Sequence, residues 1–523
     1  MDEPPRSRRP LVALVAAASA GSIALWIVGL VRFRSWRAND DIAVFQLGLE
    51  RFADGDVPLV GAYSRFGFHH PGPLREWVAG AAYWLSGTRA ASLPSTALVL
   101  NLAAVLVALF AAHRALGRRG VAAAAAALAL TQIGLADRLH SIWNPHLAIL
   151  AGAAMAWGVV AVAVDGPRNW WTVVLPGSFL AQLHVSGTIA LAAGIVVVAV
   201  VLVRAGDRRR LAVAAATTVL VWIGPLLDLT RGGDSNLAAF VDRSGGPTLG
   251  IVDSARTTLR LISPWSLASG DVVASDVEVA GAGWIGGTGI LVVLAIAAGL
   301  LARDRRTRIV PVVGCAAAGV MWVLGAQLVT PVFPYLWAPL LGATTLLTSS
   351  IVLAAASVVT ERIAAVDPPV SRAHLAGRVT AACAVGAAAL SLVGWWSLAP
   401  IETASLQRTI EARVPTVVES GTEYSIRTGE LIVSVAHAEV ALAVQQAGGT
   451  PTSNIFELDL PAPPPDALSL VTAMGGSLDC LSAALDPSLL VLRHPSQPTG
   501  LDVGVFIAPT DDEPALERCG VER

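Results

Sequence analysis

The sequence contains no lysine and carries little charge of either sign. Its 36 basic residues are all arginine, its acidic residues number 38, and only 14% of its 523 residues are charged. Hydrophobic residues make up 54%, and the mean hydropathy is +0.64. A water-soluble protein of this length needs far more charge to cover its surface, so this composition excludes a soluble globular chain. The net charge of −2 does not indicate a nucleic-acid partner.

Cysteine is scarce, and internal repeats and nucleotide-binding glycine motifs are absent from the sequence. The glycine-rich stretch 283–289 lacks the spacing of a phosphate-binding loop. Of the four cysteines, Cys315 and Cys383 fall inside apolar segments and are interpreted as small apolar side chains. Cys480 and Cys519 lie in the C-terminal region, where we expect them to form a disulfide if that region faces an oxidising compartment.

Apolar runs dominate what is present. Runs of about 20 residues recur between Leu11 and Ala399, which is the length that a hydrocarbon core of ~30 Å requires. We therefore predict an α-helical polytopic membrane protein with about eleven transmembrane helices. The predicted spans are 11–31, 95–112, 121–136, 145–164, 172–184, 188–203, 211–229, 285–302, 309–328, 331–358 and 377–399. The pair 172–184 and 188–203 is either one bent helix or two short helices that meet at a turn.

The arginines predict the orientation of these helices. With the N-terminus in the cytoplasm, every predicted inner loop carries arginine, for example Arg118 and Arg119 in one loop and Arg209 in another. The three short outer connections contain only Arg138, as the positive-inside rule requires. We expect a multi-pass protein of the plasma membrane, surrounded by membrane lipids, with its C-terminus outside because the helix number is odd.

The composition changes after Pro400, and this divides the chain into a transmembrane domain, 1–399, and an extracytoplasmic soluble domain, 400–523. Short strands are predicted at Leu431–Ala436, Leu489–Leu492 and Val503–Ile507. A helix is predicted at His437–Ala447, ended by two glycines. We therefore expect a small α/β domain at the C-terminus.

The first outer loop, 32–94, holds an acidic pair directly after the first span. Asp40 and Asp41 precede an amphipathic segment, Ile42–Phe52, and a second interfacial helix is predicted at Pro73–Leu85. Adjacent carboxylates near a membrane need solvation, a partner or a metal ion. They suit a general base for a sugar hydroxyl. They equally suit a divalent cation such as Mg²⁺ or Mn²⁺, or an N-cap for the segment that follows.

Arginine and histidine are concentrated in the outer loops. The candidates for binding the phosphate of a donor are Arg65, His69, His70, Arg138, His146 and His184. Arginine binds phosphate through two parallel hydrogen bonds, and histidine donates to phosphate or binds metal. The alternative, which the sequence leaves open, is a set of structured loops whose histidines cap local carbonyls.

This arrangement resembles the GT-C superfamily of membrane glycosyltransferases, such as protein O-mannosyltransferases, aminoarabinose transferases and arabinofuranosyltransferases. The resemblance rests on the helix number, the acidic pair after the first helix, the flanking amphipathic segments and the exterior tail. The loops PLVGAYSRFGFHHPGP and SIWNPH also look like those of a group of actinobacterial membrane proteins. That group often has an acidic residue where this chain has Gln46.

The resemblance implies a polyprenyl-phosphate sugar donor, a cell-envelope glycan or lipid acceptor, and an inverting transfer. Asp41, with Asp40 beside it, would act as the base. Two other functions are weighed against this one. A transporter or flippase of lipid-linked glycans would show repeated halves and polar groups near the bilayer midplane, whereas the charges here fall in outer loops. A non-catalytic envelope assembly protein would use the C-terminal tail as its binding module.

Overall fold

The computed structural model describes residues 9–38, 40–64, 67–134, 138–242, 247–262, 285–302, 304–328, 332–366, 405–428, 437–453, 463, 467–495, 502–508, 513–519 and 521. The α-helices in the transmembrane part are α1 Arg9–Arg32, α2 Asp40–Ala53, α3 Leu74–Leu85, α4 Ser92–Gly134, α5 Asn144–Asp165, α6 Trp171–Leu183, α7 Gly187–Arg204, α8 Arg208–Val221, α9 Ile223–Asp228, α10 Asn236–Asp242, α11 Ile251–Leu261, α12 Ile285–Leu301, α13 Arg305–Gly325 and α14 Leu341–Val366. Further along the chain come α15 Ser405–Arg413, α16 His437–Gln446, α17 Gly475–Ala484 and α18 Glu513–Arg518.

Apolar helices make up the first part of the chain, as predicted. Within the described ranges, five helices are long and apolar enough to cross a bilayer, and a bent pair spanning Arg208–Val221 and Ile223–Asp234 would make a sixth. The mostly helical, membrane-type fold is thus confirmed. The number of eleven spans stays a prediction, and the predicted span 377–399 lies outside the described residues.

Helix α4 is a hairpin of two helical arms, because the chain reverses at Gly117. That glycine has φ 61° and ψ −144°, a conformation that only glycine adopts without strain. A Cβ atom built on Gly120 would collide with the carbonyl oxygen of Ala112, which an unbroken helix would keep far away. The arms therefore correspond to the two predicted spans 95–112 and 121–136, with Arg118 and Arg119 at the turn.

The structure settles one alternative that the sequence left open, and it changes two predicted spans, 211–229 and 331–358. The region 172–203 is two helices, α6 and α7, since His184 is extended (φ −153°). The predicted span 211–229 bends by 66° after Val221. The bend occurs where the helical hydrogen bond to the Val221 carbonyl is missing, because Pro225 has no N–H to donate. That carbonyl accepts a hydrogen bond from Gln182 Nε2 instead, at 3.0 Å.

The predicted span 331–358 begins with a 3₁₀ segment, Pro334–Leu340. Helix α14 starts only at Leu341 and continues to Val366. The prolines at 334 and 339 explain the late start, because neither has an N–H to donate to an α-helical bond.

The strands form two sheets. A two-stranded hairpin joins β1 Tyr63–Ser64 to β2 Phe68–His69. The C-terminal sheet contains β3 Glu423–Thr428, β4 Thr450–Thr452, β5 Leu468–Met474, β6 Leu490–Pro495 and β7 Asp502–Ala508, in the order β4-β3-β5-β7-β6. Strands β3, β4 and β5 run parallel, and β7 pairs antiparallel with both β5 and β6.

The prediction for the C-terminal region was incomplete. Strands β6 and β7 match two predicted strands and α16 matches the predicted helix, whereas Leu431–Ala436 lies outside the described residues. Strands β3, β4 and β5 were not predicted. Polar side chains interrupt the apolar pattern of β3 and β5, and some of them, such as Arg427 and Thr472, are buried in the sheet. Cys480 and Cys519 are joined by a disulfide that ties α17 to the end of α18, which is the pairing expected from the sequence.

Candidate active site

Helix α2 begins at the acidic pair and places Asp41 in its first turn. The indole Nε1 of Trp143 donates a hydrogen bond of 2.8 Å to Asp41 Oδ2. The side chain of Asp41 is accessible to solvent, yet the surrounding protein desolvates the carboxyl group and raises its pKa above the ordinary value. The Trp143 bond and the charge of Arg75 oppose this shift. A carboxylate that is accessible to solvent but desolvated is typical of a cavity wall. The side chain of Asp40, the neighbour of Asp41, lies outside the described residues.

Arg75, on α3, is a central residue of this site that the sequence analysis missed. Its guanidinium is buried, lies 4.0 Å from the centre of the Phe45 ring, and donates 2.6 Å and 3.1 Å hydrogen bonds to Glu76 Oε1. A longer bond of 3.4 Å reaches the carbonyl of Ile142. Its charge acts on both Asp41 and His70. The sequence signal was an Arg-Glu pair in the first turn of an apolar helix, where a buried ion pair needs a reason.

His70 follows the β1–β2 hairpin and faces His184. Backbone bonds between His70 and residues 61 and 62 hold the loop, and the His70 and His184 rings lie 4.9 Å apart. Burial lowers the pKa of His70 well below its usual range, and the charges of His184 and Arg75 lower it further. His70 is therefore a neutral imidazole at neutral pH. Among the described residues, its buried Nδ1 atom has no hydrogen-bond partner.

The adjacent His69 has a different role. Its Nδ1 lies 3.0 Å from the carbonyl oxygen of Gly61, and its ring packs edge-on against Tyr63. Its backbone N–H and carbonyl both bond to the side chain of Asn236, at 2.6 Å and 2.8 Å. The ring of His69 is thus engaged in holding the loop. Arg65, the remaining candidate from this loop, lies outside the described residues.

The second outer loop joins the same region through Trp143. The ring of His146 lies edge-on to Trp143, with 4.9 Å between centroids. Both of its ring nitrogens are buried, and neither has a hydrogen-bond partner in the part of the chain that the structure describes. Asn144 Nδ2 donates to the carbonyl of Leu183 at 3.1 Å, which holds this loop beside the turn that carries His184. Arg138 interacts electrostatically with His146.

Ring contacts, a hydrogen bond and electrostatic interactions link five of the predicted site residues through Arg75 and Trp143. In the order of these links, the row runs from His184 through His70, Arg75, Asp41 and Trp143 to His146 and Arg138. Among the described residues, no group of three His, Cys, Asp or Glu side chains is placed to hold a metal ion. The described surroundings of Asp41, an indole N–H and a nearby guanidinium, also fit a divalent cation poorly. A metal held by Asp40 and Asp41 therefore stays an untested prediction, and no step below depends on it.

No known protein family and no curated protein matches the chain at the level of sequence. Solved structures do match. ArnT from Cupriavidus metallidurans bound to undecaprenyl phosphate superimposes with a TM-score of 0.56 at 14% identity, over 94% of this chain and 98% of that one. ArnT in the apo state gives 0.55 at 14% identity, over 95% and 98%. ArnT is a GT-C glycosyltransferase. This chain has the GT-C fold.

The GT-C resemblance inferred from the sequence is therefore confirmed at the level of fold, while the subtype within the superfamily stays a prediction. The row of site residues is supplied by α2, α3, the β1–β2 loop, the start of α5 and the α6–α7 turn. All of these are ends of helices or connections between them.

Proposed function

We propose that this chain is a membrane glycosyltransferase that moves a sugar from a polyprenyl-phosphate donor to a hydroxyl group of a cell-envelope glycan or lipid. The observation that carries the proposal is Asp41, an accessible but desolvated carboxylate beside a row of arginine and neutral histidine side chains. The GT-C fold, and the undecaprenyl phosphate bound to ArnT, support a lipid phosphate as the leaving group.

The reaction is a single displacement. The Asp41 carboxylate takes the proton of the acceptor hydroxyl, and that oxygen forms a bond to the anomeric carbon of the sugar. The bond from the anomeric carbon to the phosphate oxygen breaks, and its electron pair leaves with the lipid phosphate. Attack opposite to the leaving group inverts the anomeric centre. A base within hydrogen-bond reach is needed because a neutral sugar hydroxyl is a poor nucleophile.

The phosphate accumulates negative charge as it leaves, and residues of the row on either side of Asp41 stabilise it. Arg138 offers a permanent positive charge, and His70, His146 and His184 offer hydrogen-bond donors. Donors fixed in place before the reaction stabilise such charge without reorganising. The unpartnered ring nitrogens of His70 and His146 are therefore assigned to the donor phosphate.

The decisive experiment replaces the base. Asp41→Asn keeps the size of the side chain but removes its basicity, so we expect transfer to fall by about 100-fold or more, and Asp40→Asn to cost less. Transfer is measured with purified protein in nanodiscs and a panel of polyprenyl-phosphate sugars. Asp253→Asn is the matched control, because Asp253 is an exposed carboxylate paired only with Arg256 at 3.1 Å.

The transfer assay, together with a measurement of lipid movement across vesicles, separates an enzyme from a flippase or an assembly protein. If Asp41→Asn transfers sugar at nearly the wild-type rate, the proposed mechanism is wrong. If no donor of the panel yields product while labelled lipid crosses the bilayer of the vesicles, the transporter alternative is favoured.

A further inference from the structure

Helix α2, which carries Asp41, is buried more completely than its sequence predicts. Its amphipathic pattern places Phe45 and Leu49 on one apolar face. Successive residues are 100° apart around a helix, so Ala43 and Leu47 lie on roughly the opposite side, and both are 0% exposed. Two neighbours account for this, because α2 lies between α3 on one side and α16 of the C-terminal sheet domain on the other.

The C-terminal domain also contacts the chain just before α2. The guanidinium Nε of Arg37 lies 2.7 Å from Glu411 on α15, and its Nη1 donates 3.0 Å to the carbonyl of Trp36. Arg37 is four positions before Asp41 in the sequence. This ion pair therefore fixes the entry to the helix whose first turn holds the proposed base.

The far end of α2 is held by a second set of bonds. The Tyr83 hydroxyl on α3 donates a 2.5 Å bond to Glu50 and accepts a 3.0 Å bond from Gln46. Gln446, at the end of α16, also reaches Glu50, at 3.4 Å. Burial and Glu50 raise the pKa of Tyr83, so the hydroxyl stays a neutral donor. Glu50 thus joins α2, α3 and α16 at one point.

We propose that the C-terminal domain helps to position the catalytic base of the transferase. Glu411 of that domain and Tyr83 of α3 are positioning residues. They hold α2, and with it Asp41, in the correct place relative to the donor. This inference rests on the proposed function. When a base is displaced by about 1 Å, the reaction slows on the order of 100-fold. The residues that fix the two ends of α2 therefore affect the rate of transfer although they do not touch the substrate.

The first test compares two buried tyrosines, both 0% exposed. Tyr83→Phe removes the hydroxyl that links α2 to α3, and we expect kcat to fall about tenfold while the KM for the lipid donor changes less than about twofold, as for a misplaced base. Tyr424→Phe removes a hydroxyl that bonds only within the C-terminal domain, to the backbone of Glu419 and Val417. We expect it to leave kcat within about twofold, since it does not touch α2.

The second test is a double-mutant cycle on the ion pair. Arg37→Ala and Glu411→Ala should each lower kcat about threefold, and the double variant should lower it no further, because each change removes the same contact. Glu419→Ala, an exposed carboxylate of the same domain, is the control and should have no effect. Additive losses, or equal losses in Glu411→Ala and Glu419→Ala, would overturn the role of the pair.

Hydrogen exchange of the α2 backbone in the full-length protein gives a readout that does not depend on transfer. We expect faster exchange of residues 43–49 in Tyr83→Phe and Glu411→Ala, and no change in Tyr424→Phe. Unchanged exchange in the first two variants would contradict the proposal. If exchange rises as expected while Asp41→Asn still transfers sugar, then the contacts hold α2 as inferred and the proposed function has failed by itself.

Discussion

At the scale of a residue, the electrostatics of Asp41 decide how good a base it is. A base works best when its pKa is not far below the pH at which it operates. Desolvation moves the pKa of Asp41 upward from the ordinary aspartate value, while Trp143 and Arg75 restrain the shift. The carboxylate is thus a stronger base than an exposed aspartate, and its hydrogen bond with Trp143 also fixes its orientation.

We expect Trp143→Phe to shift the acid limb of the pH–rate profile to higher pH. The Trp143 bond favours the charged carboxylate, so its loss raises the pKa of Asp41, and the base is protonated at a pH where the wild-type protein is still active. The measurement is kcat/KM against pH. Trp322→Phe, which removes an indole bond to the backbone of Ile251 rather than to a residue of the row, should leave the limb in place. A shift of the limb to lower pH would refute the assignment.

Three residues of the row were candidates from the sequence, whereas the buried Arg75 beside them was not. Asp41, His70 and His184 could be recognised because polar side chains in short outer loops of an apolar chain are few. Arg75 had only a weak signal, its Arg-Glu pair, since an arginine at the start of an interfacial helix is ordinarily exposed, and it is the packing of Phe45 and Glu76 around it that shows its burial.

At the scale of an element, α2 and α3 approach each other closely at one glycine. A Cβ atom on Gly80 of α3 would lie 2.6 Å from the ring of Phe52 on α2. Separations this short do not occur between carbon atoms that are not bonded, so a larger residue forces the Phe52 ring, or α2 itself, to move. The two amphipathic patterns predicted both helices from the sequence, but neither pattern indicates which positions face each other.

We expect Gly80→Ala to destabilise the protein by about 1–3 kcal/mol, the usual cost of overpacking, and to lower transfer because α2 moves. The matched control is Gly48→Ala on α2, where a new methyl group meets nothing within 4 Å and alanine favours the helix by about 1 kcal/mol. Thermal unfolding in detergent and the transfer rate are measured together. Equal stability of the two variants would show that the helices have room to separate.

At the scale of the whole molecule, the contacts agree with the predicted alternation of helix direction. Arg114, near the turn of α4, and Arg168, after α5, both pair with Asp165, at 2.6 Å and 2.7 Å. These connections therefore share one end of the helical domain, and the Asp41–Trp143 contact lies among connections at the other end. The lengths of the apolar runs and the positions of the arginines, both visible in the sequence, predicted this arrangement.

The central strands of the C-terminal sheet, β3 and β5, were not predictable, because their burial depends on strands that are distant in the chain.

Membrane topology can be checked by labelling single cysteines in a variant without Cys315 and Cys383. We expect Arg118→Cys and Arg209→Cys to be protected in intact cells, and Asp56→Cys and Glu419→Cys to react with an impermeant thiol reagent, as the positive-inside rule requires. All four side chains are exposed in the structure, so a difference in labelling reports the side of the membrane. Protection of Glu419→Cys would remove at least one helix from the predicted count.

The sandwich of α2 between α3 and α16 has a consequence for biosynthesis. The partners Arg37 and Glu411 are 374 residues apart in the chain, so at ~5–20 residues per second the ribosome needs roughly 20–75 s to supply the second after the first. During that interval α2 has left the ribosome with one face still uncovered. The later segments α15 and α16 therefore complete the surroundings of α2, which is synthesised much earlier. A chain truncated before α15 lacks this cover even when its apolar helices are inserted.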